Sequence, residues 1–510
     1  MDKKQIGKLF IVGYQGEEPS DDFLSFVEEW GIGGVIVFAR NLSEPLLLPN
    51  RLRKIEEASG GKLFTAIDQE GGLVLRILKN GSLFPSAMAL AAAGSEDLTE
   101  QTYRAIGKEM LTLGLNWNLA PVLDINHPDN PGIGARSFGD TPESVAKFGC
   151  AAIKGLQSAG VLACAKHFPG KGHAKKDSHL TLPTIPYSAE HLKSFELFPF
   201  KKAIENKVSA IMTSHVFFPA FEKECLPITL SKSVLTDLLR TELGFKGLVI
   251  TDDLEMGAIT ESYGIAQAAL RSFMAGADQL LICHTLEQQR LATERVLEAV
   301  ERDSEAGKRF EESLRRIREA KRLIGTRTND SLNTLHEEHK NLIKTVSDKS
   351  IKFLTFSKND LPLKDSKDTL FVLPLISSLV QVEEEHKESS LAHLVKEDFP
   401  NSGFVVYDPK EEQQNILNMV KRKKAKNIVF MTYNGHLFKA QLKTAKELSK
   451  EQNVILIALR NPYDVFQCEF AKTKGATFGF RTPAIKSLLA VLKGESQPNT
   501  ENWPISTSTE

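Results

Sequence analysis

Two ionisable side chains that could move a proton lie on a loop that follows a short apolar run. The run 161–165 predicts a buried strand, and Lys166 and His167 come directly after it. A segment with one proline and two glycines then leads to Asp177 and His179. An aspartate two residues from a histidine can hold one ring nitrogen, so that the other nitrogen carries protons. A local turn is the alternative interpretation, and a metal pair is a weaker one because no further ligand shares the spacing.

A carboxylate at the end of another apolar run is the second candidate. Asp252 follows the strand-like run 247–251, where it could act as a nucleophile, a base or a ligand. The alternative is that Asp252 or Asp253 only caps the following helix, and Asp253 is the better placed of the two.

A third set combines donors and acceptors that could orient a hydroxyl-rich ligand. It contains Asp68, which precedes a Gly-Gly pair, together with Arg136, Lys166 and His167. Ion pairs on a protein rim would use the same residue types, so the residues alone leave both interpretations open.

The elements that must position these residues alternate between strand and helix. Eight apolar, strand-like runs occur in the first 300 residues, with helical segments between them, at 8–13, 34–38, 63–68, 116–121, 161–166, 208–213, 247–251 and 278–283. Their count and even spacing predict a (β/α)8 barrel, ahead of a doubly wound sheet. Catalytic side chains of such barrels lie at the carboxyl ends of the strands. We therefore expect one mouth to be surrounded by Asp68, Asp124, Lys166, His167, His215, Asp252 and His284.

The remaining chain predicts a second α/β domain. We expect the barrel at 1–325, a linker and connecting helix at 326–346, and an α/β sandwich with a mostly parallel sheet at 347–510. Its strand-like runs are 351–356, 369–373, 403–407, 427–432 and 454–459. The polar tail after residue 497 is expected to be frayed.

Composition limits the classes of function. The 510 residues carry a formal net charge of -1, so no basic excess indicates binding to nucleic acid or to a membrane. The five cysteines are scattered and form no C-x-x-C pair, which argues against a disulfide framework and a zinc site. No apolar stretch approaches the roughly 20 residues that span a bilayer, and no signal-peptide core is visible. We expect a cytoplasmic protein without metal or cofactor.

Five motifs, taken together and in this order, resemble the β-N-acetylhexosaminidases of glycoside hydrolase family 3. They cover roughly residues 5–300 and are D-Q-E-G-G at 68–72, A-P-V-L-D at 120–124, R-S-F-G at 136–139, K-H-F-P-G at 166–170 with D-S-H at 177–179, and I-T-D-D-L at 250–254. The resemblance implies that Asp252 is the nucleophile and that His179, assisted by Asp177, is the general acid/base. It also implies a set of sugar-contacting residues, namely Asp68, Arg76, Arg136, Lys166 and His167.

The implied reaction is hydrolysis of a terminal β-linked N-acetylglucosamine (GlcNAc) with retention, through a covalent glycosyl-enzyme. The implied substrates are small amino-sugar compounds, above all peptidoglycan fragments in which GlcNAc is joined to N-acetylmuramic acid or its anhydro form. The alternatives are a β-glucosidase, a β-xylosidase or a glycoside phosphorylase on the same scaffold, or a sugar-binding protein without activity. Two residues depart from the pattern: Leu73 replaces a common arginine, and Lys171 replaces a common histidine. Both flank the motifs, so we expect them to affect substrate detail more than chemistry.

Overall fold

Eight parallel strands follow one another around a ring in the first part of the chain. The structure, a computed structural model, describes residues 2–175, 181–327, 330–363, 367–376 and 390–506. The strands are Phe10–Gly13, Gly34–Val37, Phe64–Ile67, Trp117–Asn118, Leu162–Phe168, Ala210–Thr213, Leu248–Ile250 and Leu280–Ile282. The last strand pairs with the first, and a parallel bridge from Ile250 to Gln279 joins the seventh strand to the eighth. The predicted barrel is therefore confirmed.

Helices surround the strands, and their apolar faces cover the barrel. The longer ones are Asp21–Trp30, Leu48–Ser59, Glu96–Thr112, Pro142–Ser158, Ser233–Glu242, Ile265–Ala275, Leu286–Arg302 and Ser304–Lys321. Every residue of the eight strands is buried, which is typical of parallel strands covered on both faces. The continuous apolar runs in the sequence arise from this burial.

Two of the differences from the expected barrel elements have a clear cause. The fifth strand continues past Lys166 to Phe168, because the backbone amide of Ser214 donates to the Phe168 carbonyl at 3.0 Å and extends the pairing. The single helix expected at 189–206 is two helices, Ala189–Ser194 and Phe198–Glu205. Pro199 lies in the first turn of the second helix, where a missing N–H costs nothing.

A six-stranded sheet forms the core of the second domain. Five strands are parallel and lie in the order Gly403–Tyr407, Thr369–Pro374, Asn427–Thr432, Asn453–Ala458, Thr473–Ala476. Lys352–Thr355 adds an antiparallel edge strand beside Thr473–Ala476. The helices include Leu332–Ser350, Ser390–Asp398, Gln413–Lys421, Ala440–Leu448 and Thr482–Lys493. The expected, mostly parallel sheet is confirmed, whereas the exact domain boundaries 1–325, 326–346 and 347–510 stay predictions.

The end of the chain is packed, so the expectation of a frayed tail was wrong for residues 498–506. Trp503 contacts the rings of Phe466 and Phe478, with centroids 5.3 and 5.9 Å apart, and Ile505 is buried. The backbone amide of Ser506 donates to Asp140 of the barrel at 2.8 Å. Two apolar residues in a polar tail are enough to dock it. Among the described helices, none is both long and apolar enough to span a bilayer.

Candidate active site

A cavity of about 590 Å³ opens at the carboxyl ends of the barrel strands. Six of the eight residues singled out from the sequence line it, namely Asp68, Arg76, Arg136, Lys166, His167 and Asp252. The other two, Asp177 and His179, lie outside the described residues. Residues from separate strand ends therefore converge on one mouth, as the barrel rule predicts, while their individual roles stay predictions.

Four charged side chains form one buried network on the wall of the cavity. Lys166 Nζ lies 2.6 Å from Asp68 Oδ1 and 2.7 Å from Glu70 Oε1. Arg136 donates to both oxygens of Glu70, each at 2.8 Å, in a bidentate pair. A bidentate pair of this kind fixes the orientation of the guanidinium and balances its charge. Glu70 stands inside a quoted motif but was not among the predicted site residues.

The network keeps Glu70 and Lys166 charged although they are buried. Burial alone would raise the pKa of Glu70, but Arg136 and Lys166 hold that pKa well below its usual range. Burial would lower the pKa of Lys166, and Asp68 and Glu70 raise it instead. The result is a rigid array of fixed charges that faces the cavity and needs no reorganisation when a ligand binds.

His167 is held as a neutral hydrogen-bonding group. Its Nδ1 lies 2.6 Å from Asp124 Oδ2, and the other oxygen of Asp124 accepts from the backbone amides of His167 and Lys171 at 3.3 and 2.7 Å. Burial, followed by the nearby Lys171, places the pKa of His167 well below its usual value. We assign the Nδ1–H tautomer, because Asp124 then accepts at both of its oxygens. Nε2 is left as an acceptor.

Asp252 lies just past the seventh strand with its carboxylate at the cavity. Oδ1 accepts from the backbone amide of Asp253 at 3.0 Å, and Oδ2 lies 3.8 Å from Lys171 Nζ. Lys171, one of the two departures from the family pattern, is thus a neighbour of the predicted nucleophile. The capping alternative does not hold, since the next helix, Gly257–Thr260, has Met256 at its N-cap position.

Asp253, which also lines the cavity, and the buried His215 make contacts that support the site. Asp253 Oδ1 accepts from the backbone amides of Glu255 and Cys283 at 3.1 and 3.2 Å. His215, which we expected at the mouth, is fully buried between Thr229 Oγ1 at 2.8 Å and the Asp253 carbonyl at 2.9 Å. These contacts hold the loop that carries Asp252.

Sequence reasoning missed an aromatic and cationic corner of the cavity. The Arg40 guanidinium lies 4.4 Å from the Phe38 ring centroid and donates to the Cys283 carbonyl at 2.7 Å. His284, which was expected at the mouth, lines the same side, with Nε2 3.2 Å from Asp253 Oδ2. Both Phe38 and Arg40 come directly after the second strand, so the rule that drew attention to Asp68 would also have indicated them.

A second buried pair anchors the chain before residue 176. His173 Nδ1 lies 2.5 Å from Glu196 Oε1, and the His173 ring packs against His127 and Tyr187 with centroids 4.7 and 4.9 Å apart. Burial raises the pKa of Glu196 well above its usual value, and Asp124 adds to the effect. Within the described ranges, no group of three histidine, cysteine, aspartate or glutamate residues is gathered as a metal site would require.

Comparison with known proteins identifies relatives of both domains. Residues 2–320 match the glycosyl hydrolase family 3 N terminal domain. Beta-hexosaminidase A of Pseudoalteromonas piscicida is 36% identical over 277 residues, which are 50% of this chain and 46% of that protein. The beta-hexosaminidase of Neisseria meningitidis serogroup C is 35% identical over 260 residues, covering 50% of this chain and 72% of its own length. The matching region thus spans less than half of the first relative.

A solved structure matches the whole chain. The glycoside hydrolase family 3 beta-N-acetylglucosaminidase from Paenibacillus sp. superposes with a TM-score of 0.91 at 34% identity, over 100% of this chain and 99% of that one. The resemblance inferred from five short motifs is therefore confirmed over both domains. The chain belongs to glycosyl hydrolase family 3, within its branch of β-N-acetylhexosaminidases.

Proposed function

We propose that the protein is a retaining exo-β-N-acetylglucosaminidase with Asp252 as its nucleophile. The observation that carries the proposal is the cavity in which the Asp252 carboxylate stands among fixed donors and acceptors from other strand ends. Its volume, about 590 Å³, is that of a site for a small ligand. The names of the relatives support the choice of an amino sugar over glucose or xylose.

The reaction has two steps, in which each bond broken is matched by one formed. In the first, an Asp252 oxygen bonds to the anomeric carbon while the bond to the leaving oxygen breaks, and His179 gives that oxygen a proton. In the second, water gives its proton to His179 and its oxygen replaces Asp252 on the sugar. Asp177 would stabilise the imidazolium form of His179. The roles of His179 and Asp177 rest on the resemblance, since both lie outside the described residues.

The fixed charges of the cavity suit a sugar with several hydroxyl groups. Asp68 can accept from a hydroxyl and Lys166 can donate to one, while Nε2 of neutral His167 adds an acceptor. Arg136, held by Glu70, supplies donors whose direction is set before binding. Arg76 lines the same cavity and would be a further contact. Such preformed contacts contribute to catalysis by orienting the anomeric carbon toward the nucleophile.

The test compares hydrolysis of p-nitrophenyl β-GlcNAc with that of the matching β-glucoside, with and without phosphate. We expect the GlcNAc substrate to be preferred and the rate to be independent of phosphate. A faster glucoside, or a sugar phosphate as product, would overturn the specificity or the hydrolytic step. Asp252→Ala should reduce kcat by at least about 10⁴-fold with an unchanged melting temperature. Near-full activity of this variant would exclude Asp252 as the nucleophile, whereas no activity of the unaltered protein on either substrate would favour a protein that only binds sugar.

The finer proposal concerns the natural substrate. We propose GlcNAc joined to N-acetylmuramic acid or its anhydro form, in peptidoglycan recycling in the cytoplasm, as the resemblance implies. The kcat/KM for GlcNAc–anhydro-N-acetylmuramic acid should exceed that for chitobiose. Equal values would assign the enzyme to chitin-type or unselective substrates.

A further inference from the structure

The second domain contacts the barrel beside the buried pair of Glu70 and Arg136. The contacts come from loops at the carboxyl ends of two parallel strands, Asn453–Ala458 and Thr473–Ala476, and from the packed tail. In open α/β sheets, this end of the strands is the one that usually carries function. In this protein, the loops at that end hold two short barrel turns from both sides.

The first turn is the one that carries Arg136. Gly134 has φ +50°, and a Cβ atom there would lie 2.5 Å from Asn461 Oδ1, so the second domain is in close contact with this turn. Three residues past Arg136, the Pro504 carbonyl of the tail is packed directly against Gly139. Ser506 then bonds to Asp140, as described above. The segment from 134 to 140 is therefore held by the second domain at both ends.

The second turn is the one that follows Glu70. Arg481 Nε donates to the Gly72 carbonyl at 3.1 Å. Ser86, whose backbone the Gly72 turn contacts, donates its hydroxyl to the Phe478 carbonyl at 2.6 Å. Arg481 and Phe478 both follow the strand Thr473–Ala476. One loop of the second domain therefore makes both hydrogen bonds that hold this turn.

Apolar contacts join the same two turns to the core of the second domain. Leu73 is 1% exposed and belongs, with Val74 and Ala135, to the apolar cluster that includes the strands of the six-stranded sheet. Leu73 directly follows the Gly72 turn, and Ala135 lies within the turn that carries Arg136. The leucine that departs from the family pattern is thus a contact of the second domain.

We propose that the second domain is a positioning element for the Glu70–Arg136 pair, acting through Asn461 on one turn and Arg481 on the other. Neither residue touches the sugar in this proposal. Each fixes a backbone turn whose displacement would rotate the guanidinium away from the ligand. The inference rests on the proposed function, because it takes Arg136 to be a sugar contact.

The test measures KM and kcat for p-nitrophenyl β-GlcNAc in the full-length chain. We expect Asn461→Ala to raise KM about tenfold while kcat changes by less than about threefold, because the sugar contact is loosened and the nucleophile is untouched. Asn461 has no hydrogen-bond partner for its side-chain amide among the described protein groups, so the alanine variant should fold. Asn453→Ala, at the start of the strand that precedes Asn461, is the matched control and should leave KM unchanged.

A double-mutant cycle separates positioning from general destabilisation. If Asn461 acts through Arg136, then Asn461→Ala should add nothing to the KM of Arg136→Ala, although each single variant raises it. An additive effect in the double variant would overturn the proposal. Arg481→Ala should also raise KM, and Arg481→Lys, which keeps a donor for the Gly72 carbonyl, should restore most of it. Should Arg481→Ala fail to fold, the Asn461 cycle decides alone.

The outcomes distinguish failure of this inference from failure of the proposed function. If Arg136→Ala leaves KM unchanged, the sugar contact itself is wrong, and the proposed set of binding residues fails with it. If Arg136→Ala raises KM but Asn461→Ala and Arg481→Ala do not, only the positioning role of the second domain is refuted.

Discussion

Replacing Glu70 by glutamine tests whether the buried network holds the sugar-binding wall in place. The substitution keeps the shape of the side chain and removes its charge. Arg136 then loses the carboxylate to which it makes two bonds, and Lys166 keeps only Asp68 as an anionic partner. The side chains of Glu70 and Arg136 are each 4% exposed, so water cannot replace the lost partner.

The size of the effect follows from this burial. Removing one partner of a buried ion pair costs about 3–5 kcal/mol, because the remaining charge is left uncompensated. For the barrel region, residues 2–320, the unfolding entropy is about 0.7 kcal/mol/K, so we expect the melting temperature to fall by about 4–7 °C. We also expect kcat/KM to fall about 100-fold, equivalent to about 2.7 kcal/mol, as Arg136 loses its fixed direction.

The pH dependence supplies an independent check. The pKa of Glu70 is lowered in the folded state, so its charge contributes stability above its unfolded pKa of about 4.3, and the contribution is lost as the pH falls toward the folded pKa. The difference in melting temperature between wild type and Glu70→Gln should therefore be constant from about pH 6 to 8 and narrow below about pH 4.

The measurements are thermal unfolding and steady-state kinetics on p-nitrophenyl β-GlcNAc. Glu312→Gln is the matched control, because Glu312 pairs with Arg316 at 3.5 Å but is 57% exposed. A surface pair of this kind contributes about 0–1 kcal/mol. If Glu70→Gln melted within about 1 °C of this control and kept its kcat/KM within about twofold, the network would have no role in stability or binding and our reasoning would be refuted.

Two further substitutions test other charged contacts. Lys171→Met should move the acidic limb of the kcat/KM profile to higher pH, because an ammonium 3.8 Å from Asp252 favours the charged carboxylate. The control Lys175→Met, at an exposed lysine, should leave the acidic limb unchanged. An unchanged limb in Lys171→Met would show that Lys171 does not influence Asp252. Asp278→Asn should lower the melting temperature and leave KM and kcat unchanged. The fully buried Asp278 binds three arginines, so its charge stabilises the fold. It precedes the eighth strand and therefore lies at the end of the barrel opposite the mouth. A changed KM with an unchanged melting temperature would contradict a purely structural role for Asp278.

The barrel could be predicted because its strands are buried on both faces. Runs such as Ala210–Thr213 contain little that is polar, and their even spacing along the chain indicates the order around the ring. Strand ends were less predictable, since Leu162–Phe168 continues through a lysine and a histidine that lie in a register shift, and its pairing with the next strand resumes at Phe168. The strand Thr473–Ala476 was missed because Thr-Lys-Gly-Ala lacks both an apolar run and a clear alternation.

The candidate site was predictable where a residue's role depends on its place at a strand end. Asp68, Lys166 and Asp252 were found in this way, and they line one cavity. The role of Glu70 depends instead on its contact with Arg136, which is 66 residues away in the chain. Residue types and spacing do not indicate which of several acidic groups near a strand end will pair across such a distance.

Leu73 shows why a motif cannot be interpreted without the rest of the fold. Seen from the sequence, it is a leucine where relatives often have an arginine, and it suggested a difference in substrate. Its side chain instead lies in the apolar cluster of the second domain, 1% exposed, where an arginine would be buried without a defined partner. The side chain therefore packs against that domain and is not among the described residues that line the cavity. By contrast Lys171, which looked equally peripheral, lies 3.8 Å from the predicted nucleophile, so a test of this departure must measure the chemistry as well as the substrate preference.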